Sequence, residues 1–328
     1  MQYTHMAAPK KTFMLLLFII CCIFLGPLFM SDQFSMEAFQ QLNTIFLSII
    51  IEAIPFVLIG VLIAGFIQIF VTEEHIRKWI PKSKMKAVWV SCIAGSLFPA
   101  CECGIVPIVR RLVGKGVPLY AGVGFLLTGP LINPIVILST YMAFGNDMKM
   151  ALLRMGVGFL AALTIALLVS WLFQTNQLKH KEHFHTHDTA AKQPLFQRLK
   201  NMLHHSIDEF FDMSKYLILG AFVAAALQTF VSAQSLLLFG DSIFHSTIIM
   251  MALAYFLSLC SEADAFIGAS FRNLFPSTSI LAFLIYGPMI DLKNTIMLLN
   301  VFKAKFVFLL LFLITVIVFI FVHLTTFI

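Results

Sequence analysis

Charged residues are scarce in this chain: Asp, Glu, Lys and Arg make up 12% of its 328 residues, whereas a soluble protein carries about 25%. Hydrophobic residues make up 60%, and they form runs long enough to cross a bilayer, which takes about 20 residues. This composition argues against a large soluble core. It predicts an all-α integral membrane protein embedded in a lipid bilayer.

Several functional signatures are also absent. The sequence contains no G-x-x-x-x-G-K-[ST] phosphate loop, no Gly-x-Ser-x-Gly elbow and no His-Glu-x-x-His site. All six cysteines lie in apolar segments, which argues against a secreted disulfide framework. The net charge of +6 comes from Lys and Arg in short loops, as membrane orientation requires. We therefore expect no enzyme activity, no cofactor and no nucleic-acid partner.

Nine apolar blocks follow one another along the chain. The first, at 13–30, follows Lys10 and Lys11 and lacks a small-residue cleavage site, so we interpret it as a retained helix. Two later blocks, 87–109 and 246–271, contain Gly, Cys, Ser and acidic residues that fit a membrane-spanning helix poorly. We interpret each of these two as a re-entrant hairpin that enters and leaves on one side of the membrane.

The distribution of Lys and Arg favours these two hairpins. If all nine blocks span the membrane, 12 basic residues fall inside and 10 outside. With two re-entrant hairpins, 19 fall inside and 3 outside, namely Lys149, Arg154 and Arg272. Because cytoplasmic loops are enriched in Lys and Arg, the second arrangement is preferred. It predicts a multi-pass protein of a bacterial inner membrane or its equivalent, with seven crossings and a cytoplasmic N-terminus.

The chain also carries an internal repeat. Residues 56–71 resemble residues 216–231, and residues 125–133 resemble residues 283–291. Three crossings in each copy invert the second copy relative to the first. Inverted repeats are typical of secondary transporters, which bind their substrates at the repeat interface near the membrane midplane.

These observations predict the complete architecture. It comprises two inverted-topology repeats with broken helices and two re-entrant hairpins, plus one extra N-terminal helix. The predicted units are an N-terminal transmembrane helix and outer loop at 1–43, a first membrane repeat at 44–173, a cytoplasmic His-rich linker at 174–212 and a second membrane repeat at 213–328.

The main candidate site is the run 99–104, which reads Pro-Ala-Cys-Glu-Cys-Gly inside an apolar block. Ionisable residues are costly in lipid and are functional candidates, and helix breakers on either side free backbone groups for binding. Thiolates are soft ligands that suit zinc, copper(I) or trivalent arsenic. The alternative is a structural role, in which the cysteines only pack and Glu102 pairs with Arg110 or Arg111.

Three other interruptions belong to the two repeats. Residues 128–134 read Thr-Gly-Pro-Leu-Ile-Asn-Pro, and their counterpart at 286–291 reads Tyr-Gly-Pro-Met-Ile-Asp. Each predicts a broken helix with free amides and carbonyls, or alternatively a simple proline kink. Residues 260–264 read Cys-Ser-Glu-Ala-Asp, and the repeat aligns their Glu262 with the glutamate of the first hairpin. Its carboxylates would bind a coupling proton or cation, or else only hydrogen-bond the structure.

Two weaker candidates remain. Four histidines lie close together at His180, His183, His185 and His187, and neutral imidazoles at this density can bind zinc. The alternative is that this segment is only a soluble linker between the repeats. Glu52 is a further carboxylate within an apolar block, with either an interfacial or a functional role.

The motifs Cys101-Glu102-Cys103-Gly104 and Thr128-Gly-Pro-Leu-Ile-Asn-Pro134 together resemble a known family, the predicted permeases of unknown function that include the bacterial methylarsenical efflux permease. The resemblance covers most of residues 44–327. It implies an inner-membrane permease in which the two cysteines bind a thiophilic substrate and the glutamate assists.

We therefore expect secondary active transport of a small thiophilic substrate, which is a metalloid, an organoarsenical or a soft metal ion. The alternatives are a zinc transporter component, a thiol redox protein, and a passive channel or subunit of a larger complex. A homodimer or a partner protein is compatible with the sequence. The expected substrate-binding residues are Cys101, Glu102, Cys103, Gly104, Thr128, Gly129, Pro130, Asn133, Pro134, Ser261, Glu262, Asp264, Gly287, Pro288 and Asp291.

Overall fold

A computed structural model describes residues 36–71, 76, 80–81, 83–98, 101–179, 195–230 and 242–327. The predicted N-terminal helix, Pro99 and the histidines at 180–187 lie outside these residues. Helices dominate the described chain, and an isolated β-bridge joins Leu178 to Phe302. The helices are α1 Met36–Phe70, α2 Lys84–Ser96, α3 Glu102–Gly114, α4 Leu119–Ile132, α5 Pro134–Ala143, α6 Met148–Leu172, α7 Leu195–Phe230, α8 Ile243–Leu257, α9 Ser261–Ser270, α10 Ser277–Met289, α11 Leu292–Val301 and α12 Ala304–Leu324.

Six stretches of the described chain are long and apolar enough to cross a membrane. They are Met36–Phe70, Leu119–Ala143, Met148–Leu172, Leu199–Thr229, Ser277–Val301 and Ala304–Leu324. The predicted class of all-α integral membrane protein is thereby confirmed. Six candidate spans agree in number with two repeats of three crossings each. The orientation of each repeat in the membrane stays a prediction.

The two interrupted apolar blocks each form a pair of short helices. Helices α2 and α3 have 13 residues each, and α8 and α9 have 15 and 10. At about 1.5 Å per residue, each is shorter than the roughly 30 Å of a hydrocarbon core. We call α2–α3 the first hairpin and α8–α9 the second hairpin. The side from which each enters the membrane stays a prediction.

The two halves of the chain are interleaved. The long helices α1 and α7 pack along one another. The second helix of each hairpin contacts the broken helix of the other half, because α3 packs against α11 and α9 packs against α5. Both hairpin tips are therefore enclosed by elements from both halves.

Helix α7 begins earlier than the sequence indicated. It starts at Leu195, so residues 195–212 of the predicted linker are helical. Its Glu209 carboxylate accepts hydrogen bonds from Arg111 Nε at 2.7 Å and pairs with Arg111 Nη2 at 2.6 Å. Arg110 lies 3.6 Å from the same carboxylate and 3.7 Å from Asp212. The alternative in which Glu102 pairs with one of these arginines is therefore wrong.

Two basic residues also differ from their predicted positions. The sequence count treated Arg154 and Lys293 as loop residues on opposite sides of the membrane. Both are buried in helices, Arg154 with none of its surface exposed and Lys293 with 4% exposed. Without these two residues, the count still places many more basic residues in the cytoplasm than outside.

Helices α1 and α3 approach closely at two glycines. A Cβ atom added at Gly60 would lie 2.3 Å from the carbonyl oxygen of Gly104, and one added at Gly104 would lie 2.7 Å from the carbonyl oxygen of Phe56. Small residues allow such backbone contact between membrane helices, where packing replaces the hydrophobic effect. This contact fixes the first hairpin against α1.

Replacing Gly60 with Val tests this contact. The added side chain would meet backbone atoms that cannot move aside, so we expect a destabilisation of about 3 kcal/mol or more and a lower yield of folded protein. Gly156→Val in α6 is the matched control, because no atom lies within 4 Å of its added Cβ. The measurement is thermal stability in detergent. Equal losses in the two variants would contradict the close approach.

Candidate functional site

Four helices begin inside the folded core rather than at its ends. Helices α3, α5, α9 and α11 follow the helix-capping residues Cys101, Asn133, Cys260 and Asp291, respectively. The first turn of a helix has free N–H groups and a positive partial charge. Such broken helices supply ligand groups in transporters. Each half of the chain thus contributes one hairpin tip and one broken helix.

Three of these helix starts are capped by their own side chains. Asn133 Oδ1 accepts a hydrogen bond from Val136 N at 2.9 Å, and Cys260 Sγ accepts one from Ala263 N at 3.4 Å. Asp291 Oδ1 accepts one from Asn294 N. Cys101 occupies the equivalent position at the start of α3, and its thiol interacts with the backbone N–H of Gly104. The positive partial charge of the first turn favours a negatively charged sulfur atom there.

The N-terminus of α3 lies at a small, partly open cavity. The cavity measures about 10 Å³, which is the room needed for about one water molecule. Its walls bring together both hairpin tips, helix α1 and helix α11. The lining residues are Ile49, Glu52, Ala53, Phe56, Cys101, Glu102, Cys103, Cys260 and Lys293.

The cavity contains three thiols. Cys101 is 6% exposed and Cys103 is 2% exposed, and the two thiols are close enough to interact directly. Cys260 comes from the second hairpin, is half-buried, and interacts with the carboxyl group of Glu52. Glu52 itself reaches the cavity from α1 although it is exposed on that helix. Sequence reasoning recognised the Cys101–Cys103 pair but missed the approach of Cys260, because that approach depends on the packing of the two hairpins.

Several carboxyl groups also lie near the two hairpin tips. Glu102 is 1% exposed, and its Oε1 atom has no hydrogen-bond partner among the described residues. Its charge interacts with those of Lys293, Asp291 and Asp264. Asp264 Oδ2 is likewise buried without a hydrogen bond in the described structure. Glu262 instead accepts a hydrogen bond from the hydroxyl group of Ser261 at 3.3 Å.

Two buried cations balance these acids, and sequence reasoning missed both. Lys293 Nζ lies 3.5 Å from Asp291 Oδ2. Arg154 donates hydrogen bonds to Thr140 Oγ1 at 2.7 Å and to the Ser261 carbonyl at 3.1 Å. The position of Arg154 within an apolar block was a usable signal, because ionisable residues inside a membrane segment are functional candidates.

Other predicted site residues pack the helices together and do not line the cavity. A Cβ at Gly129 would lie 2.3 Å from Ile105 Cδ1, and one at Gly287 would lie 2.8 Å from Asp264 Oδ2. Thr128 Oγ1 donates to the carbonyl of Gly124 at 2.9 Å. The two glycines thus allow close packing of α4 against α3 and of α10 against α9, whereas the Thr128 hydrogen bond lies within α4.

The prolines of the predicted motifs have two different positions. Pro130 and Pro288 lie inside α4 and α10, whereas Pro134 occupies the first turn of α5. The helix breaks themselves fall at Asn133 and at 290–291, after the internal prolines. Within the described residues, no group of three His, Cys, Asp or Glu side chains is arranged to hold a metal ion.

Replacing Arg154 with Leu tests the balance of charge around the second hairpin. Removing one partner of a buried charged network leaves the other groups unpaired, so we expect a loss of about 3–5 kcal/mol in stability. Lys149→Leu is the control, because this exposed lysine should contribute at most about 1 kcal/mol. Thermal unfolding in detergent measures both. A loss for Arg154→Leu no larger than the control's would contradict a balancing role.

Comparison with known proteins places this arrangement in a family. The chain is 52% identical over 282 residues, 86% of its length and 96% of the relative's, to the UPF0718 protein YcgR of Bacillus subtilis strain 168. It is 43% identical over 268 residues, 81% of its length and 89% of the relative's, to the "Putative two-component membrane permease complex subunit" of Streptococcus mutans. No solved structure matches. The profile of a family described as "Predicted permease" matches residues 38–327, so the chain belongs to the predicted permease family.

Proposed function

We propose that this membrane transport protein carries a small thiophilic substrate by secondary active transport. The substrate class is a metalloid, an organoarsenical or a soft metal ion. Membership of the permease family supports transport in general. The class of substrate is supported by the chemistry of the cavity between the hairpin tips.

The presence of three thiols in the lining of one small cavity is the observation that carries the proposal. Cys101 and Cys103 interact directly, and Cys260 from the other half lines the same space. Thiol ligands favour soft metal ions, and by the same logic trivalent arsenic. Structural disulfides are typical of secreted proteins, so they do not explain three free cysteines at this place in a membrane protein. A soft substrate would therefore be held between both halves of the molecule.

A trivalent arsenical with two hydroxyl groups fits the pair of thiols. Each thiol would exchange with one hydroxyl group, forming one As–S bond and releasing one water molecule, with no change in oxidation state. Release on the other side of the membrane would reverse the two exchanges. The N-terminus of α3 lies beside the same atoms and would stabilise thiolate character during the exchange.

Proton coupling would use the buried carboxyl groups. Glu102 Oε1 and Asp264 Oδ2 both lack hydrogen-bond partners in the described structure, which marks them as places where a proton can be bound. Glu262 and Asp291 complete the set of acids near the hairpin tips. Binding or release of a proton by these carboxyl groups would offset a change of charge in the site, so that no unpaired ion is exposed to lipid.

One alternative is favoured by a specific observation. A relative that is 43% identical is named as a subunit of a two-component membrane permease complex. This chain would then need a second protein for transport. The zinc alternative has less support, since structural zinc sites use closed sets of four ligands and the described residues offer no group of three.

Transport into proteoliposomes tests the proposal. With purified wild-type protein and an imposed proton gradient, we expect accumulation of a trivalent organoarsenical such as phenylarsine oxide. In the double variant Cys101→Ser with Cys103→Ser, this flux should fall about tenfold or more, because serine hydroxyl groups are poor ligands for soft arsenic. Cys92→Ser is the matched control, because Cys92 is fully buried against Val88, Leu163 and Ala166 and does not line the cavity.

Two outcomes would count against the proposed function. Equal flux in the double variant and the wild type, at equal reconstitution, would contradict the role of the thiols. Absence of flux from the purified chain, restored by a co-purified second protein, would favour the two-component alternative.

A further inference from the structure

Lys293 is held in a fixed position at the centre of the molecule. Its Nζ atom lies 3.5 Å from Asp291 Oδ2 and donates a hydrogen bond to the Ser258 carbonyl oxygen at 3.1 Å. Ser258 ends α8 with left-handed backbone angles of φ 47° and ψ 43°, which turns the chain into the tip of the second hairpin. The ammonium group thus joins α11 to the second hairpin.

The same ammonium group faces the thiols of the first hairpin. Lys293 lines the cavity with Cys101, Glu102 and Cys103, whereas its partner Asp291 does not. Its charge interacts with those of Asp291 and Glu102 and with the two cysteines. A cation built into the protein therefore lies beside the place where a metal cation would bind.

The first repeat shows that this ion pair is not needed to build a broken helix. The match of 125–133 with 283–291 places Asn133 opposite Asp291 and Ile135 opposite Lys293. Asn133 caps α5 with a hydrogen bond to Val136 N at 2.9 Å, and Ile135 is 55% exposed. The same break is thus made with uncharged residues. The charge of Lys293 calls for an explanation beyond local structure.

We propose that Lys293 is a specificity-determining residue, a resident cation that competes with cationic substrates and makes the thiol site select neutral thiophilic molecules over bare divalent metal ions. The inference rests on the proposed function of Cys101 and Cys103. Two like charges a few ångströms apart repel strongly where water is excluded. Because Lys293 and the two thiols line the same small cavity, a divalent ion bound to the thiols would lie close to the ammonium group. A neutral arsenical bonded to two thiols meets no such repulsion.

Competition between two probes tests the proposal. Purified full-length protein in nanodiscs is titrated with Cd²⁺ or with neutral phenylarsine oxide, and binding is read as protection of Cys101 and Cys103 from maleimide by mass spectrometry. We expect Lys293→Gln to raise the affinity for Cd²⁺ relative to phenylarsine oxide by about tenfold or more, because the repelling charge is gone. Lys293→Arg keeps the charge and should keep the wild-type ratio.

Two further variants serve as controls. Lys303→Gln removes an exposed lysine ten residues along the chain and should leave the ratio unchanged. If Lys293→Gln fails to fold because it leaves Asp291 unpaired, the double variant Asp291→Asn with Lys293→Gln removes both charges together. This variant is expected to show the same rise in relative affinity for Cd²⁺.

The outcomes separate this inference from the proposed function. If wild-type Cys101 and Cys103 are protected by phenylarsine oxide but the ratio is unchanged in both charge-removing variants, the role of Lys293 is overturned and the thiol site stands. If phenylarsine oxide protects neither cysteine in the wild type, the thiol site itself is overturned. A changed ratio in Lys293→Arg as large as in Lys293→Gln would indicate a steric role and would also overturn the proposal.

Discussion

A hydrocarbon environment offers no hydrogen bonds, so every charge and every freed backbone group in the membrane must find its partner inside the protein. The present chain places four helix starts and several ionisable side chains in its core. They are tolerated because the halves interleave, with α3 against α11 and α9 against α5. The hydrogen bond from Arg154 in the first half to the Ser261 carbonyl in the second half joins the halves at these contacts. The site is thus complete only when the two halves are packed together.

The two halves share a framework but differ in chemistry. Each supplies a hairpin and a broken helix, and repeat-related glycines, Gly60 and Gly220, let a helix approach the long helix of its half. The tip of the first hairpin carries two thiols, whereas the tip of the second carries one thiol with two acids nearby. A site between such halves is asymmetric. In our proposal the first half binds the soft substrate, and the second half supplies the balancing charge.

Much of the framework could be predicted from the sequence because its breaks use residues with clear physical effects. Gly and Pro near Asn133 and Asp291 indicated the two broken helices. Ionisable residues inside apolar blocks indicated the two hairpins. Charge counting misplaced Arg154 and Lys293, since it assigns every basic residue to a loop.

Side-chain partners could not be predicted in the same way. The pairing of Arg111 with Glu209 joins residues 98 positions apart. The approach of Cys260 to Cys101 and Cys103 depends on how two hairpins pack. Neither contact leaves a periodic or local pattern in the sequence.

The proposed transport mechanism requires a thiophilic substrate to bind in the cavity between the two hairpin tips. Its most direct test is an experimental structure of the protein with bound phenylarsine oxide, with arsenic located by its anomalous scattering. We expect one arsenic atom bonded to Cys101 and Cys103, with Cys260 and Lys293 facing it across the cavity. Arsenic bound only at Cys92, or only outside the cavity, would contradict this account.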